Sequence, residues 1–409
     1  MKSIKLLFAI SAVSAALVCA CSKPDPVINP DGNEVFTPIG LTKAEQGIST
    51  EINGFGQELF RNIYRPQNQM ISPLSVSLAF SMAAFGAEGE SERQICSVLG
   101  FEDYNSVQIS GYYKKMLDTL KKADKKTVLN IANSIWAADD YTVLDAYKQG
   151  TRQFYNSETF NVDFSASGTK DKINSWVSEN TAGKIDKLVE HLSPDTRMLL
   201  INAMYFNGMW ANHFDSCSKR DSFVDIDGNK NELTMMDRTC RGWFSSYDGY
   251  EMAELTYGNS AFEMDVILPP SGMPFKEAVA SFDEKVYSSL IDRIICYELY
   301  VKMPPFKFES RMELAPAMKA MGMEIPFDAD KADFSKIGPE GLFIEDAVHK
   351  TYIDVNKEGT EAAAITGMIA LGTGPVEFQS KDFIVDRPFL FVIRETSTNT
   401  ILFIGQKVR

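Results

Sequence analysis

The residues that could perform catalysis are few, and they match no known catalytic set. The chain has three histidines, His191, His213 and His349, and no two of them have the spacing of metal ligands. Ser-x-x-Lys occurs at residues 167–170 and 216–219, but the Lys-Thr-Gly sequence that accompanies it in β-lactamases is absent. The G-x-S-x-G, P-loop and G-x-G-x-x-G motifs are also absent. We therefore expect a protein that is not an enzyme and binds no metal or cofactor.

The cysteines that follow the N-terminal segment do not define a metal site either, because their spacings match no zinc pattern. Their number is even, which permits disulfides in an oxidising compartment, but the sequence does not determine the pairing. These residues are Cys96, Cys217, Cys240 and Cys296.

The most unusual stretch of the chain is KEGTEAAAITGMIALGTGP, residues 357–375, which has no charged residue after Glu361. Its glycines and Pro375 exclude a membrane span, and each glycine would cost about 1 kcal/mol inside a helix. Read as a strand, alternate residues from Thr360 to Ala370 form one face of small or apolar side chains. Such a face can enter the middle of a sheet, where a charge would be prohibitive. We therefore expect an exposed loop that can become a strand.

The N-terminus is typical of an export signal, with Lys2 and Lys5 before an apolar run from residue 6 to 18. Residues 18–21, Val-Cys-Ala-Cys, resemble the lipobox of bacterial lipoproteins, in which the last cysteine receives the lipid. We expect lipidation of Cys21 after removal of a signal peptide at residues 1–20; plain cleavage after Ala20 is the alternative. The proline-containing residues 21–45 are expected to be a flexible tether. The protein would then be an outer-membrane-anchored lipoprotein of the bacterial cell envelope, facing either the periplasm or the exterior.

The charge of the chain excludes most nucleic-acid binding. The net charge is −14, and without Lys2 and Lys5 the 39 remaining basic residues face 55 acidic ones, which gives −16. A local exception is the lysine-rich segment YYKKMLDTLKKADKK at residues 112–126, in which six lysines from Lys114 to Lys126 occur. This segment is either a solvated helix face or a contact for an anionic polymer.

Hydrophobic periodicity predicts a single α+β domain over residues 46–409. One buried helix starts at the N-cap Ser72 and ends at Gly86, and a capping box of Ser91 and Gln94 is expected to start the next. Further helices are predicted at residues 46–64, 104–122, 144–157, 169–181, 274–292 and 311–321. Strands are predicted at residues 128–137, 199–207, 261–268, 295–303 and 343–355, and a terminal hairpin turns at residues 396–400.

Several of these segments resemble, in order, the signatures of the serpin family. The likeness covers nearly all of residues 46–409, and chance agreement at these ordered positions is negligible. KEGTEAAAITG resembles the hinge of the serpin reactive-centre loop, and EDAVHKTYIDVN at 345–356 resembles the strand that leads to it. The other matches are ISPLSVSLAFSMAAFGAEGES (71–91), KINSWVSENTAGKIDKLV (172–189), LINAMYFNGMW (200–210) and RPFLFVIRETSTNTILFIGQ (387–406).

The resemblance implies a serpin fold, with three β-sheets, eight or nine helices and an exposed reactive-centre loop, and a monomeric suicide-substrate inhibitor. In that mechanism a protease cleaves the loop and forms an acyl-enzyme, and the cut loop inserts into the large sheet and distorts the protease.

The loop hinge implied by the resemblance is small enough to permit insertion. Its residues are Gly359, Thr360, Glu361, Ala362, Ala363 and Ala364. Gly367 and the bulky Ile365 favour the alternative, a non-inhibitory serpin-fold binding protein whose loop is only a substrate.

Individual positions also carry over from the family. Ser72, Asn202 and His349 match the shutter residues beneath the large sheet, and Trp210 matches the breach position where the loop first enters. By this resemblance His349, the best catalytic candidate, has a structural role. The same polar residues could equally be ordinary buried groups with satisfied hydrogen bonds.

The reactive bond has two possible positions. Counting forward from the hinge gives the bond between Thr373 and Gly374, and counting back from residues 387–388 gives a position near Glu377, because the loop is about four residues longer than usual. The absence of lysine and arginine between Thr360 and Ser380 argues against a trypsin-like target. Elastase-, chymotrypsin- or subtilisin-like serine proteases with apolar pockets suit the loop better, and a cysteine protease is a further option. The loop residues that suit such pockets are Met368, Ile369, Ala370 and Leu371, with Thr373.

Overall fold

The computed structural model describes residues 36–338, 341–345, 347–360 and 378–409. Several predicted positions lie outside this range, namely the lipidation site, most of the hinge and every candidate for the reactive bond. They are Cys21, the hinge residues Glu361, Ala362, Ala363 and Ala364, and the loop residues Met368, Ile369, Ala370, Leu371, Thr373, Gly374 and Glu377. Of the hinge, Gly359 and Thr360 are described. Among the described residues, none of the helices is both long enough and apolar enough to cross a bilayer.

The described residues form nine α-helices. Most begin and end within a few residues of the predicted positions. Their bounds are α1 Lys43–Asn62, α2 Pro73–Gly86, α3 Gly89–Val98, α4 Ser106–Leu120, α5 Asp145–Tyr155, α6 Thr169–Asn180, α7 Phe275–Ser281, α8 Glu284–Asp292 and α9 Ala315–Ala320.

Local capping explains where several helices begin. Thr42 and Glu45 form a reciprocal capping box at the start of α1. Ser72 caps α2, as predicted, and Pro73 occupies the first helical position. The predicted capping box at Ser91 is wrong, because α3 already starts at Gly89 and the Ser91 hydroxyl instead accepts a hydrogen bond from Asp333 N–H at 2.9 Å.

Two predicted helices are only partly helical. The segment 274–292 is two helices, since the Asp283 carboxylate caps a second start by accepting a bond from Val286 N–H at 2.9 Å. Residues before Ala315 belong to a strand rather than to the predicted helix at 311–321. The predicted tether is also shorter than expected, because Phe36, Ile39 and Leu41 pack against the main core.

Fifteen strands are described. Their bounds are β1 Gln69–Ile71, β2 Thr127–Ala138, β3 Ser157–Val162, β4 Met198–Met209, β5 Ser216–Val224, β6 Lys230–Tyr247, β7 Tyr250–Tyr257, β8 Phe262–Leu268, β9 Ile295–Met303, β10 Phe306–Glu313, β11 Val348–Val355, β12 Gly359–Thr360, β13 Ser380–Ile384, β14 Phe389–Glu395 and β15 Ile401–Lys407.

These strands form two hydrogen-bonded networks. The main sheet has six strands in the order β10-β11-β12-β4-β2-β3. The second network has nine strands in the order β1-β15-β14-β8-β7-β6-β9-β13, with β5 paired to β6. The 18-residue β6 joins two of the three expected sheets into this one network, because its two ends pair with different neighbours. The predicted terminal hairpin is β14 and β15, paired antiparallel.

At its central strands β2 and β4 the main sheet packs against apolar residues on both faces, whereas the edge strand β10 exposes alternate residues. Met204 and Phe206 of β4 point into the main core, whereas Ile201 and Ala203 of the same strand join a second core. The second core also contains Ile173 and Val177 of α6, so α6 covers the outer face of β2 and β4. Burial on both faces explains why β4 is a nearly continuous apolar run in the sequence.

Candidate functional site at the gap in the main sheet

The two long strands at the centre of the main sheet, β4 and β11, are joined through the two-residue strand β12. Gly359 pairs with Met209, and Thr360 pairs with Gly208 on one side and Val355 on the other. Among the described residues, β4 and β11 are not neighbours in the hydrogen-bonded order. The start of the predicted hinge therefore already lies between them, at the head of a gap.

The hinge is tightly packed where it enters the gap between β4 and β11. A side chain at Gly359 would place its Cβ 2.3 Å from the carbonyl oxygen of Gly208, so the close approach of β12 to β4 requires glycine. Thr360 is 2% exposed, and its Oγ1 lies 2.6 Å from the hydroxyl of Tyr257. Burial raises the pKa of Tyr257, so this phenol stays neutral and can donate the bond.

The predicted breach residue Trp210 lies directly beside the hinge. Its ring stacks on Tyr257 with centroids 4.3 Å apart, and its Nε1–H donates to the carbonyl of Asn356 at 2.9 Å. Its backbone N–H donates to the carbonyl of Glu358 at 3.0 Å. The Glu358 carboxylate in turn contacts His213. No sequence motif pointed to Tyr257 or His213, because both reach the hinge through long-range contacts.

Two of the three predicted shutter residues contact each other between β4 and β11, at the end of the gap away from β12. The backbone N–H of Ser72 donates to Nε2 of His349 at 3.0 Å, and the Ser72 hydroxyl lies 3.0 Å from Sδ of Met204. Burial lowers the pKa of His349 to about 4. A lone pair that accepts a bond and a low pKa both indicate a neutral imidazole, so His349 holds the start of α2 against β11 rather than carrying a charge.

The third predicted residue, Asn202, bonds to neither Ser72 nor His349 in the hydrogen bonds of the described residues. Its Nδ2 donates to Oδ1 of Asn133 at 2.6 Å, and Asn133 Nδ2 donates to the carbonyl of Tyr155 at 2.6 Å. The buried Oδ1 of Asn202 has no hydrogen-bond partner among those residues. Leaving a buried acceptor unsatisfied costs about 1–3 kcal/mol.

A cavity of about 410 Å³ opens between the lower halves of β4 and β11 and the side of α2. Its walls are mainly apolar, with Val76, Phe80 and Leu200 among them, and Asn202 and His349 also line it. A cavity of this size has room for several side chains of an added strand.

One group of carboxylates has the spacing of metal ligands in the described part of the chain: Glu254, Glu263 and Asp265, whose oxygens lie within 4.8 Å of one another. Arg394 occupies their centre. Its Nη2 contacts Glu254 and lies 2.7 Å from Glu263, and its Nε lies 2.9 Å from Asp265. All four side chains are buried, so the guanidinium acts as their counter-ion and ties β14 to β7 and β8.

No disulfide joins any two of the four cysteines of the described residues. Cys240 and Cys296 lie on the paired strands β6 and β9, but their register partners are Leu299 and Trp243, which puts the two thiols on opposite faces. Burial raises the pKa of the Cys96 thiol to about 11, which makes it a poor nucleophile.

The lysine-rich segment is partly neutralised by its own neighbours. Lys114 pairs with Asp118 at 3.1 Å, and Lys115 pairs with Glu45 at 2.5 Å. Both pairs reduce the positive charge that an anionic polymer would meet on this face of α4.

The fold and the gap define an α+β protein whose main sheet has its two central strands parted, with the start of a loop seated between them. A family model described as "Serpin (serine protease inhibitor)" matches residues 50–409. The chain belongs to the serpin family, whose members are mostly protease inhibitors rather than enzymes.

Named relatives and solved structures agree with this assignment. The chain is 31% identical over 358 residues to Iripin-8 of Ixodes ricinus, covering 83% of this chain and 87% of the relative. It is 31% identical over 377 residues to "Intracellular coagulation inhibitor 2" of Tachypleus tridentatus, covering 89% and 91%. The thermophilic serpin tengpin in its native state superposes with a TM-score of 0.82 at 30% identity, covering 91% of this chain and 96% of tengpin. The latent state of tengpin gives a TM-score of 0.76 at 28% identity, covering 91% and 99%, so the fold is closer to the native form.

Proposed function

We propose that this serpin is a suicide-substrate inhibitor of serine proteases with apolar specificity pockets. A protease cleaves the loop that follows Thr360, and the cut loop then continues the path of β12 into the gap between β4 and β11, carrying the acylated protease with it. The observation that carries the proposal is the position of β12, which pairs with both β4 and β11, because this pairing would be the first step of that insertion.

The register of β12 predicts where each inserted residue would lie. Thr360 is opposite Gly208 in an antiparallel pair, so extending the pair residue by residue brings residues 361–370 opposite 207–198 of β4. Since Thr360 is buried, alternate residues from Ala362 to Ala370 would face the core. Ala362 would then meet Phe206, and Ala364 would meet Met204. Small inserted side chains would lie beside large core residues, which avoids overpacking.

The remaining hinge alanine would face the other way. By the same register Ala363 would lie opposite Tyr205 of β4, on the face that alternates with the one Thr360 occupies. A methyl group at this position is too small to obstruct insertion. The three hinge alanines therefore permit insertion on both faces of the sheet.

The same register brings a polar residue to the polar part of the gap. Thr366 would lie opposite Asn202 on β4 and, by extension of the Thr360–Val355 pair, opposite His349 on β11. Its hydroxyl could donate to the buried Oδ1 of Asn202, which has no partner within the described chain. Residues 366–370 would run along the cavity between the lower halves of the two strands. This match supports insertion over the non-inhibitory alternative.

The energetics favour insertion once the loop is cut. Residues 360–373 fully extended span about 45 Å, which is enough to carry a protease from one end of the sheet to the other. About ten new ladder hydrogen bonds at a net 0.5–1.5 kcal/mol each give on the order of 10 kcal/mol, before apolar burial is added. The uncut protein would then be metastable, and a kinetic barrier would maintain it.

The test is to mix residues 36–409 with pancreatic elastase, analyse the products on a denaturing gel and weigh the released C-terminal fragment. A complex that survives denaturation supports covalent trapping, and the fragment mass distinguishes the Thr373–Gly374 bond from a bond near Glu377. Clean cleavage by elastase, chymotrypsin and subtilisin without any complex would instead favour the non-inhibitory alternative. Rapid trapping of trypsin would contradict the apolar specificity.

We further propose that Cys21 carries a lipid that anchors the domain to the bacterial outer membrane, where it guards the cell surface against proteases from outside. The motif at residues 18–21 supports this proposal. Cys21→Ser should release the protein from the membrane fraction, and protease added to intact cells should reach the domain. Retention of the variant would argue against the lipid anchor, and full protection would argue against surface exposure.

A further inference from the structure

The residue directly before the hinge, Glu358, is held by a histidine. Oε2 of Glu358 lies 2.9 Å from Nδ1 of His213, and Oε1 lies 3.1 Å from Nζ of its neighbour Lys357. The His213 and Glu358 side chains are 25% and 22% exposed, whereas Lys357 is 51% exposed. The histidine contact is therefore the sheltered one, and salt screens it less than the lysine contact.

Nδ1 of His213 lies close to the Glu358 carboxylate, but this contact does not have the geometry of a hydrogen bond. Nδ1 of His213 is buried and has no hydrogen-bond partner of good geometry among the described residues. The contact with Glu358 therefore depends on the charge of the ring, because a carboxylate attracts a positively charged ring 2.9 Å away and gains little from a neutral one.

The backbone on both sides of this pair is hydrogen-bonded to the same segment. Phe214 N–H donates to the carbonyl of Lys357 at 3.0 Å, and Trp210 N–H donates to that of Glu358 at 3.0 Å. The turn 210–214 therefore holds residues 357 and 358 by two main-chain bonds, and the His213–Glu358 pair lies between them. Gly359 and Thr360 follow immediately in β12, so the position of Glu358 sets where the hinge enters the gap.

The other charged groups packed around this turn have partners of their own. The Arg238 guanidinium of β6 donates to the carbonyl of Asn212, lies 4.8 Å from the ring centroid of Phe214 and is attracted electrostatically to Asp215. Asp237 of β6 is bound by Lys219 Nζ at 2.8 Å. Glu358 is thus the carboxylate that faces His213 in the described part of the site.

We propose that His213 is a positioning residue for the hinge, and that its protonation tightens the seating of Glu358, Gly359 and Thr360 at the head of the gap. Histidine is the side chain that ordinarily changes charge between pH 5 and 8. A protonated His213 pairs with Glu358 by a charge-assisted hydrogen bond, which is stronger than the neutral contact. Because insertion starts from β12, a firmly seated hinge shortens the delay between loop cleavage and insertion. Acidification therefore raises the fraction of cleavage events that end in trapping; this last step rests on the proposed inhibitory function.

The direct test needs no protease. Hydrogen exchange of the peptides that contain the Trp210 amide and residues 356–360 is measured by mass spectrometry at pH 5.5 and pH 8, corrected for the intrinsic pH dependence of exchange. In the wild type we expect about ten-fold greater protection at pH 5.5, the size expected for one hydrogen bond to a charged group. H213Q should show, at both pH values, the weaker protection that the wild type has at pH 8. H213K keeps a cation at this position and should show little pH dependence.

H191Q is the matched control, because it removes a different histidine and should leave the pH dependence intact. Equal protection of wild type and H213Q at pH 5.5 would overturn the proposal, as would loss of the pH dependence in H191Q. E358Q should mimic H213Q, and unchanged protection in E358Q would likewise contradict it. If the exchange results hold but elastase is never trapped, the hinge contact stands and the inhibitory function fails, so the two failures are distinguishable.

Discussion

Replacing Thr360 with arginine tests whether the hinge must enter the sheet. Thr360 is 2% exposed between Gly208 and Val355, and its hydroxyl contacts Tyr257. An arginine at this position must either bury its guanidinium beside the Tyr257 ring or keep β12 out of the gap. The second outcome is expected, since a strand of two residues is displaced at a lower cost than the core is rearranged.

The size of the effect follows from the cost of burying an unpaired charge. Several kcal/mol are lost when one partner of a buried ion pair is missing, and about 4 kcal/mol corresponds to a roughly 1000-fold decrease in the population with a seated hinge. Thr360→Arg should therefore be cleaved as a substrate with almost no trapping. Thr360→Val keeps the shape and loses only the bond to Tyr257, so it should still trap.

The assay is a titration of elastase with each variant, read as the moles of serpin consumed per mole of protease inhibited, with the complex followed on a denaturing gel. Glu361→Arg is the matched control, because the register directs the neighbouring position to the outer face, where an arginine can stay hydrated. Equal trapping by Thr360→Arg and wild type would refute the reasoning that insertion starts at β12. Equal loss in both arginine variants would indicate a non-specific effect of charge on the loop.

Three further variants probe the hinge, the shutter and the core. Gly359→Ala should unseat β12 and slow trapping, because its Cβ would lie 2.3 Å from the Gly208 carbonyl oxygen; wild-type inhibition by this variant would contradict the close approach. Burial lowers the pKa of His349 to about 4 from an ordinary value near 6.5, so the unfolded chain binds the proton more readily. The stability that His349 provides is thus complete above pH 6.5 and is lost as the pH falls towards 4, by up to about 3 kcal/mol. Urea midpoints should show this loss in wild type and not in His349→Gln, and parallel pH curves would argue against a neutral buried histidine. Arg394→Met should destabilise the fold by about 3–5 kcal/mol, because three buried carboxylates lose their counter-ion. The exposed Arg152→Met is its control, and equal urea midpoints for the two would contradict the counter-ion role.

The parts of the fold that depend on local pattern could be predicted from the sequence. Helix α2 follows from its N-cap Ser72 and its apolar residues, and the terminal hairpin follows from two apolar runs around a polar turn. Strands β5 to β7 were missed because the long β6 mixes exposed charged residues with buried ones and changes neighbours along its length. The helix predicted across residues 274–292 failed at Asp283, where a side-chain cap starts a second helix.

The site was predictable only in part, for a related reason. The alternation of small residues after Thr360 indicated a loop that can become a strand, and the serpin resemblance identified Trp210, Ser72 and His349. The partners of the hinge could not be read from local pattern, since Tyr257 contacts Thr360 across 103 residues of sequence. His213 likewise reaches Glu358 through the fold alone. The match of Thr366 with Asn202 required the register of β12, which only the structure provides.

The most direct test of the central claim, that the cleaved loop enters the gap between β4 and β11, is the thermal stability of the cut protein. The loop is nicked with a trace of elastase, the protease is removed, and the thermal unfolding midpoints of cut and intact protein are compared. Insertion worth on the order of 10 kcal/mol should raise the midpoint by about 10–20 °C or more. A midpoint that stays the same or falls after a single cut in the loop would contradict the insertion mechanism.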